Sequence, residues 1–497
     1  MELSDSRSYK GALKATSLFG GVQIYTILIR IIRSKFIAVL LGPAGMGVVG
    51  LYTATSTLLS SITSLGLSSS AVKNISEANA SGDKAKLVKV VCVFRKLVWF
   101  TGFWGMLTCA LLSPLLSRWT FGNDDFTLGF VILSLSLLFE QLTKGQTTIL
   151  QGLHKYAYMA KANVYGNTIG LFVTVPLYYF FGVDAVAPVL VISSITALVL
   201  SQFYYKKIRI HPIEVNRQLL KKEGTDMVIM GISISFSGII TTLVSYLIRI
   251  FIKEHGGIED VGLFTAGFTI VHTYVGLVIT AMGTDYYPRL SEVNEDRAHF
   301  NETINNQMEI GFILLAPLIC AFIIFIELIV VILYSGKFHA VEPMMYWAVF
   351  AVYFQIFSWA IAFSFLAKGD YKLFIFNELL AKAYTFPAQV LGYYWWGLEG
   401  IGFAFVFNYV LYSLQVYVIC KHRYNVEIKH STFLVFLKQL PLMICCLVLI
   451  KVGYDLPKYI LGSLFIVFSA VISYIDLDKR MDIKAVVQNK FLRGRKR

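Results

Sequence analysis

The segment Leu28-Ile29-Arg30-Ile31 recurs as Leu247-Ile248-Arg249-Ile250, and this repetition decides how the chain is organised. Two more blocks recur in the same order: Val49-Gly50-Leu51-Tyr52-Thr53-Ala54 as Val261-Gly262-Leu263-Phe264-Thr265-Ala266, and Lys73, Ser76, Glu77 and Asn79 as Arg289, Ser291, Glu292 and Asn294. The spacing stays close to 215 residues in all three blocks. Internal repeats of this size are typical of transporters, so the sequence predicts a duplicated unit.

The composition is that of a protein embedded in a membrane. Apolar residues make up 56% of the chain and charged residues only 15%. About fourteen apolar stretches are long enough to cross a hydrocarbon core of about 30 Å. They lie at 17–40, 46–70, 97–117, 126–149, 163–182, 184–205, 226–252, 261–283, 309–334, 343–367, 373–396, 399–420, 433–451 and 458–475. We therefore predict an all-α polytopic membrane protein whose first span is retained rather than cleaved as a signal peptide.

The repeat and the span count together predict the domain organisation. Because six spans separate the first copy of the arginine block from the second, the two halves have the same orientation in the membrane. We expect two pseudo-symmetric six-helix lobes around a central cavity, with two extra C-terminal helices. The N-lobe covers 1–224 with helices 1–6, and the C-lobe covers 225–424 with helices 7–12. Residues 425–497 hold appended helices 13–14 and a basic cytoplasmic tail.

The distribution of lysine and arginine predicts the orientation. With both termini in the cytoplasm, most of the 44 basic residues fall on the cytoplasmic side, as the positive-inside rule requires. The opposite side holds Arg118, Lys253, Lys337, Lys451 and Lys458. This arrangement accounts for the net charge of +14 without a nucleic-acid partner.

Signatures of catalysis and metal binding are missing from the sequence. The six cysteines form no CxxC pair, and the eight histidines form no cluster with metal-ligand spacing. The chain also lacks the phosphate-binding GxxxxGK[ST] loop and the HExxH zinc motif. We therefore expect a protein that is not an enzyme and has no cofactor.

Two stretches resemble a known family. Residues 35–50, Lys-Phe-Ile-Ala-Val-Leu-Leu-Gly-Pro-Ala-Gly-Met-Gly-Val-Val-Gly, resemble the first hairpin of Wzx-type O-antigen flippases, and residues 284–291 are similar to a second stretch of that group. This group belongs to the multidrug/oligosaccharidyl-lipid/polysaccharide (MOP) exporter superfamily. The resemblance implies a carrier in the bacterial inner membrane that moves an undecaprenyl-pyrophosphate-linked oligosaccharide to the periplasmic leaflet. It also makes the polysaccharide polymerase machinery a candidate partner beside the glycan and the bilayer.

Charged residues inside the predicted spans are the candidate functional residues. A charge at the centre of a membrane helix costs about 2.5–3.5 kcal/mol, so these side chains should face a wet cavity or a partner. The cations are Arg30, Arg33, Lys35, Arg249 and Lys382, and the anions are Glu140, Glu327 and Glu378. Since guanidinium can donate two parallel hydrogen bonds to one phosphate, the surplus of cations favours a pyrophosphate ligand.

Most of these residues also have a simpler interpretation. Arg33, Lys35 and Arg249 could anchor helix ends at the membrane interface. Glu140 with Lys144, and Glu378 with Lys382, are spaced for ion pairs on one helix face. Glu327 has no such neighbour, which makes it the preferred candidate for a group coupled to H⁺ or Na⁺ movement.

Three other functions stay open at this point. A lipid II flippase would share the fourteen spans and the cationic cavity. A cation-coupled multidrug exporter of the same superfamily would have twelve spans and an acidic pocket. A membrane scaffold without transport activity is the third alternative, although buried charge at matching places in both halves is costly without a use.

Overall fold

The computed structural model describes residues 2–210, 213–451 and 455–481, and the described residues form helices and their connections, with no strand among them. The basic tail beyond residue 481 lies outside this part of the chain. The α-helices are α1 (Glu2–Thr63), α2 (Leu67–Ala80), α3 (Lys84–Leu111), α4 (Ser113–Phe121), α5 (Thr127–Gly152), α6 (Tyr156–Phe181), α7 (Val186–Lys206), α8 (Arg217–Thr269), α9 (Gly276–Glu292), α10 (Arg297–Ile324), α11 (Ile326–Leu333), α12 (Glu342–Ala367), α13 (Tyr371–Tyr424), α14 (His430–Lys451) and α15 (Asp455–Met481). A π-helical segment, Ile270–Val275, joins α8 to α9.

Four glycines divide the longest helical segments into pairs of membrane crossings. Ten segments of the described chain are long and apolar enough to span a membrane. Four of them, at Tyr25–Thr63, Tyr156–Lys206, Gln218–Glu292 and Tyr371–Tyr424, are long enough to cross twice. They bend at Gly42, Gly182, Gly257 and Gly397, each with positive φ. The predicted fold class, an all-α multi-span membrane protein, is confirmed, and the bends reconcile ten long segments with fourteen crossings.

The duplication is visible in the backbone geometry. Gly42 has φ 66° and ψ −170°, and Gly257, 215 residues later, has φ 82° and ψ −178°. Gly182 and Gly397 form a second pair at the same spacing, with φ of 56° and 58°. Only glycine adopts such angles without strain, because it has no Cβ. The repeat therefore fixes where each helical hairpin turns.

Matching N-caps begin α3 and α10. The carboxylate of Asp83 accepts hydrogen bonds from the N–H groups of Ala85 and Lys86, and Asp296 accepts them from Ala298 and His299. An N-cap aspartate satisfies backbone donors that a helix start leaves without partners. The four-residue patterns Asp-Lys-Ala-Lys and Asp-Arg-Ala-His are thus a further block of the repeat.

The chain divides into two compact units: residues 1–262 with 333–335, and residues 263–332 with 336–497. In the first unit α2, α3, α5 and α7 share an apolar core that includes Leu67, Phe94 and Ile149. The part of α8 before Gly262 belongs to this unit because its backbone closely approaches α1 and the turn after it. A Cβ on Gly47 would lie 2.0 Å from the carbonyl oxygen of Ile258.

In the second unit α12 packs along α13, and α10 contacts α12, α14 and α15. The side chains that α10 buries include Phe312, Ile319 and Ile323. The appended helices α14 and α15 are therefore packed on α10. The lobe boundaries at 224 and 424 stay predictions.

Candidate functional site

The two predicted arginines of the repeat lie on α1 and α8, and both belong to the first compact unit. Arg30 is exposed and, among the described residues, makes no hydrogen bond or ion pair. Arg249 is buried, with 9% of its surface exposed, and its Nη1 donates to the carbonyl oxygen of Ser245 at 2.9 Å and to its Oγ at 2.5 Å. One copy thus presents a free guanidinium, and the other is held against its own helix.

The two arginines are displaced by one helical turn relative to the bends. Arg30 precedes Gly42 by twelve residues, whereas Arg249 precedes Gly257 by eight. Four residues correspond to about 6 Å along a helix. The position equivalent to Arg30 by the spacing of the bends is Ser245, the residue that Arg249 contacts. The two Leu-Ile-Arg-Ile blocks therefore match in residue type, but they lie at different distances from the bends of their hairpins.

The other predicted cations have different surroundings. Arg33 is half-buried on α1, and its Nη2 donates to Ser193 Oγ on α7 at 3.2 Å. Lys35 is half-buried on the same helix, and Lys382 is half-buried on α13 in the second unit. Arg30 and Arg33 are one turn apart, and neither forms an ion pair with a carboxylate of the described residues. The first unit consequently carries uncompensated positive charge on α1.

Neither of the predicted Glu–Lys pairs appears among the ion pairs of the described residues. Lys144 Nζ donates to Ser60 Oγ at 2.8 Å, while Glu140 is half-buried on the same helix. Glu378 accepts a hydrogen bond from Tyr412 OH at 2.6 Å. The spacing of four residues allows these pairs but does not enforce them, and Lys144 and Glu378 each have another polar partner.

Glu327 lies at the start of α11 and has partners that are distant in sequence. Its Oε1 accepts from Lys458 Nζ at 2.7 Å, and its Oε2 accepts from Tyr459 OH at 2.9 Å. The side chain of Lys458 is 6% exposed and that of Glu327 is 37% exposed. The ion pair therefore connects the beginning of α15 to the beginning of α11.

A row of polar contacts between α10, α14 and α15, which we call the polar seam, was missed in the sequence. Buried Glu309 accepts from Arg480 Nε at 2.7 Å and from Thr432 Oγ1 at 2.8 Å. Buried Asp476 accepts from Lys438 Nζ at 3.0 Å. Charged residues within or beside the last two predicted spans were the signal that could have revealed this seam. Its geometry holds α14 and α15 against α10.

Metal ligation finds no support in the described residues, since they hold no group of three or more His, Cys, Asp or Glu side chains arranged around a common point. The site is instead a set of single charges on membrane helices. What such charges can do chemically is bind an anion or exchange a proton or ion.

The chain is similar in sequence to a known protein family. The sequence profile of the family described as "Polysaccharide biosynthesis protein" matches residues 12–294, more than half of the chain. The chain belongs to that family. No curated protein sequence matches it. The family match covers residues 12–262 of the first compact unit, including the arginines of α1 and α8, and continues into the second unit as far as residue 294.

Solved structures of transporters share the fold. Lipid II flippase MurJ in an inward closed conformation covers 94% of this chain and 99% of its own, with 13% identity and a TM-score of 0.70. An inward-facing multidrug resistance MATE family transporter of the MOP superfamily covers 80% and 94%, with 15% identity and a TM-score of 0.68. A MOP superfamily transporter from Pyrococcus furiosus, described as having reverse polarity of its binding pocket, covers 82% and 95%, with 16% identity and a TM-score of 0.57.

The family match agrees with the sequence resemblance, and the solved structures share the fold that the resemblance implied. The protein is a multi-pass membrane protein of a polysaccharide biosynthesis family, with the fold of MOP superfamily transporters. The similar structures are described as transporters and as a flippase. At these identities the structural likeness concerns the fold alone.

Proposed function

We propose that this protein is a flippase that moves an undecaprenyl-pyrophosphate-linked oligosaccharide, such as an O-antigen-like repeat unit, from the cytoplasmic to the periplasmic leaflet of a bacterial inner membrane. Transport proceeds by alternating access and draws on an ion gradient. Both termini lie in the cytoplasm in this proposal. Membership of the polysaccharide biosynthesis family supports the class of substrate.

The observation that carries the proposal is the pair Arg30 and Arg33. They lie one turn apart on a membrane helix, and within the described chain no carboxylate neutralises them. A guanidinium in such a place needs an anion, because an isolated charge in the membrane is costly. A pyrophosphate suits this need, since its oxygens accept the parallel hydrogen bonds that arginine donates.

Lys35 and Arg249 of the first unit extend the proposed binding set, and a role for Lys382 of the second unit stays a prediction from the sequence. Arg249 is held by Ser245, so it contributes charge from a fixed position. A fixed cation loses little side-chain entropy on binding, which favours tight recognition of a phosphate.

Ion coupling is assigned to the carboxylates. Of the three candidates, Glu327 is already bound by Lys458, and Glu378 by Tyr412. Glu140 is half-buried and has no hydrogen bond or ion pair within the described residues. A carboxylate in this condition can take up H⁺ or Na⁺ in one state and release it in another. Glu140 is therefore the coupling residue that the geometry favours.

The test is reconstitution into liposomes with labelled lipid-linked glycan in the inner leaflet. A membrane-impermeant glycosidase outside then reports how much glycan has crossed. We expect gradient-dependent transfer of an undecaprenyl-pyrophosphate oligosaccharide and none in protein-free liposomes. If folded protein transfers no glycan with the ion gradient applied in either direction, the proposal is wrong.

A second candidate is a lipid II flippase, favoured by the match of MurJ to 94% of the chain. The same liposomes decide between the two when lipid II replaces the oligosaccharide. Faster movement of lipid II than of the O-antigen-like unit would make this second candidate correct. A drug-efflux measurement in the same system covers the multidrug exporter.

A further inference from the structure

The two halves of the chain carry the same recess at corresponding positions. One recess, of about 320 Å³, lies between α3, α5 and α7, and the other, of about 510 Å³, lies between α12, α13 and α14. Four residues of the first recess have counterparts in the second at a spacing of 215: Phe139 and Phe354, Leu142 and Phe357, Leu198 and Ser413, Gln202 and Tyr417. The repeat therefore builds the two apolar walls of the recess twice.

The third wall comes from different helices. In the first recess α3 contributes Arg95 and Trp99, whereas in the second α14 contributes His430 and Phe433. Each third wall thus supplies one basic and one aromatic side chain. Unrelated helices arriving at the same combination indicate a common ligand chemistry, apolar with an anionic end.

The backbone of Lys429, a basic residue of the second recess, is fixed by a hydrogen bond. Lys429 N–H donates to Asn305 Oδ1 at 2.8 Å, which fixes the residue immediately before α14. The nearby carboxylate of Glu427 is occupied by Arg297 at 2.7 Å. Within the described residues Lys429 and His430 form no ion pair, so the positive charge of Lys429 and the ring nitrogens of His430 are available to a ligand.

A second lysine lies at the same end of this recess. Lys421 Nζ lies 5.6 Å from the centre of the Tyr417 ring, and Tyr417 lines the recess. The other carboxylate nearby, Asp370, is bound by Arg423 at 3.5 Å. The acids at this end are thus paired with arginines, and the lysines are left over.

We propose that the second recess binds one acyl chain of an anionic phospholipid from the surrounding bilayer, with Lys429 and His430 holding the headgroup phosphate. The cavity volume lies within the usual range for sites of small molecules, and its walls are mostly apolar. Basic residues at a membrane surface attract anionic lipids. The first recess, with Arg95 beside Tyr205, is the equivalent site in the other half. This lipid site is separate from the arginines proposed for the transported substrate.

Fluorescence quenching in nanodiscs tests the proposal. The variant Phe433→Trp places a tryptophan in the recess, and phosphatidylglycerol with brominated acyl chains quenches tryptophans that the chains touch. The signal is the difference between this variant and the parent protein, which removes the other tryptophans. We expect half-maximal quenching at a brominated phosphatidylglycerol fraction at least fivefold lower than for brominated phosphatidylcholine with the same chains.

The charge dependence is tested in the Phe433→Trp background. Lys429→Gln with His430→Gln should bring phosphatidylglycerol to the level of phosphatidylcholine. Lys372→Gln, which removes an exposed cation at the start of α13 that does not line the recess, is the matched control and should change nothing. Equal quenching by both lipids, or an unchanged preference in the double variant, would overturn the proposal. Complete displacement of the phospholipid by an equal amount of undecaprenyl phosphate would also overturn it and assign the recess to a prenyl chain.

Discussion

Lys458 Nζ lies 2.7 Å from Glu327 Oε1, although 131 residues separate the two in the chain. Tyr459 OH donates to the other carboxylate oxygen at 2.9 Å. Consecutive residues at the start of α15 therefore bind both oxygens of one acid. This arrangement gives Glu327 a structural role that is independent of any role in coupling.

The first prediction concerns the stability of this ion pair. Removing one partner of a buried pair costs about 3–5 kcal/mol, and the partial exposure of Glu327 lowers our expectation to about 2–3 kcal/mol. Glu327→Gln and Lys458→Met should each destabilise the protein by this amount. The double variant should cost less than the sum of the two, because no charge is left unpaired. Thermal and chemical unfolding in detergent measure these values, and strict additivity would contradict the ion pair.

The second prediction concerns coupling. Glu140→Gln should abolish the dependence of transport on the ion gradient while the protein stays folded, because the amide cannot take up a proton or bind Na⁺ as a carboxylate does. Glu378→Gln and Glu327→Gln are the comparisons in the same liposomes. Unchanged gradient dependence in Glu140→Gln, with loss in Glu327→Gln, would transfer the coupling role to Glu327.

The third prediction concerns the arginines. Arg30→Ala should lower glycan transfer about 10- to 100-fold, the equivalent of about 1.5–3 kcal/mol for a hydrogen bond to a charged group. Arg30→Lys should restore activity in part, because it keeps the charge and loses the two-pronged geometry. The same pair of substitutions at Arg249 applies the test to the second copy.

Arg118→Ala is the matched control for these arginines, since Arg118 is exposed and bound to Asp124 at 2.7 Å. It should retain normal transfer at equal expression. Full activity of both lysine variants together with active alanine variants would instead identify Arg30 and Arg249 as interfacial anchors.

The fourth prediction concerns the bends. Gly42→Ala and Gly257→Ala should each destabilise the protein by about 1–3 kcal/mol, the range for strained backbone angles. No neighbouring atom lies within 4 Å of either added Cβ, so the loss reflects backbone strain alone. Gly170→Ala in α6 also meets open space but has ordinary helical angles, and it should be neutral or stabilising by up to about 1 kcal/mol. Melting temperatures of the three variants check this, and equal effects would contradict it.

The fifth prediction concerns orientation. Single cysteines in the turn at 122–125 and in the loop at 337–342 should react with an impermeant thiol reagent added from the periplasm, because positively charged segments stay inside. A cysteine at Lys221 should not react. The exposed native Cys445 is first replaced by Ser. The reverse labelling pattern would invert the topology.

The sequence predicted the membrane class, the number of crossings and the duplication, because hydropathy and repeated blocks are local properties of the chain. The Leu-Ile-Arg-Ile match pairs Arg30 with Arg249 by residue type. Counted from the bends at Gly42 and Gly257, Arg249 lies one helical turn from the position equivalent to Arg30. Spacing rules within one helix suggested Glu140 with Lys144, which form no ion pair in the described chain, and could not predict Lys458 as the partner of Glu327, because that contact depends on tertiary packing. The polar seam was not predicted from the sequence for the same reason.

The polar seam also has a consequence for biosynthesis. Glu309 and its partner Arg480 are 171 residues apart, and ribosomes add about 5–20 residues per second. Glu309 is therefore synthesised roughly 10–30 s before Arg480. During this interval the nascent protein carries the Glu309 carboxylate without its arginine, and a chain truncated before α15 never acquires that arginine. Because an unpaired buried charge is destabilising, we expect the truncated chain to be degraded faster than the full-length protein, which a pulse-chase comparison of the two would measure.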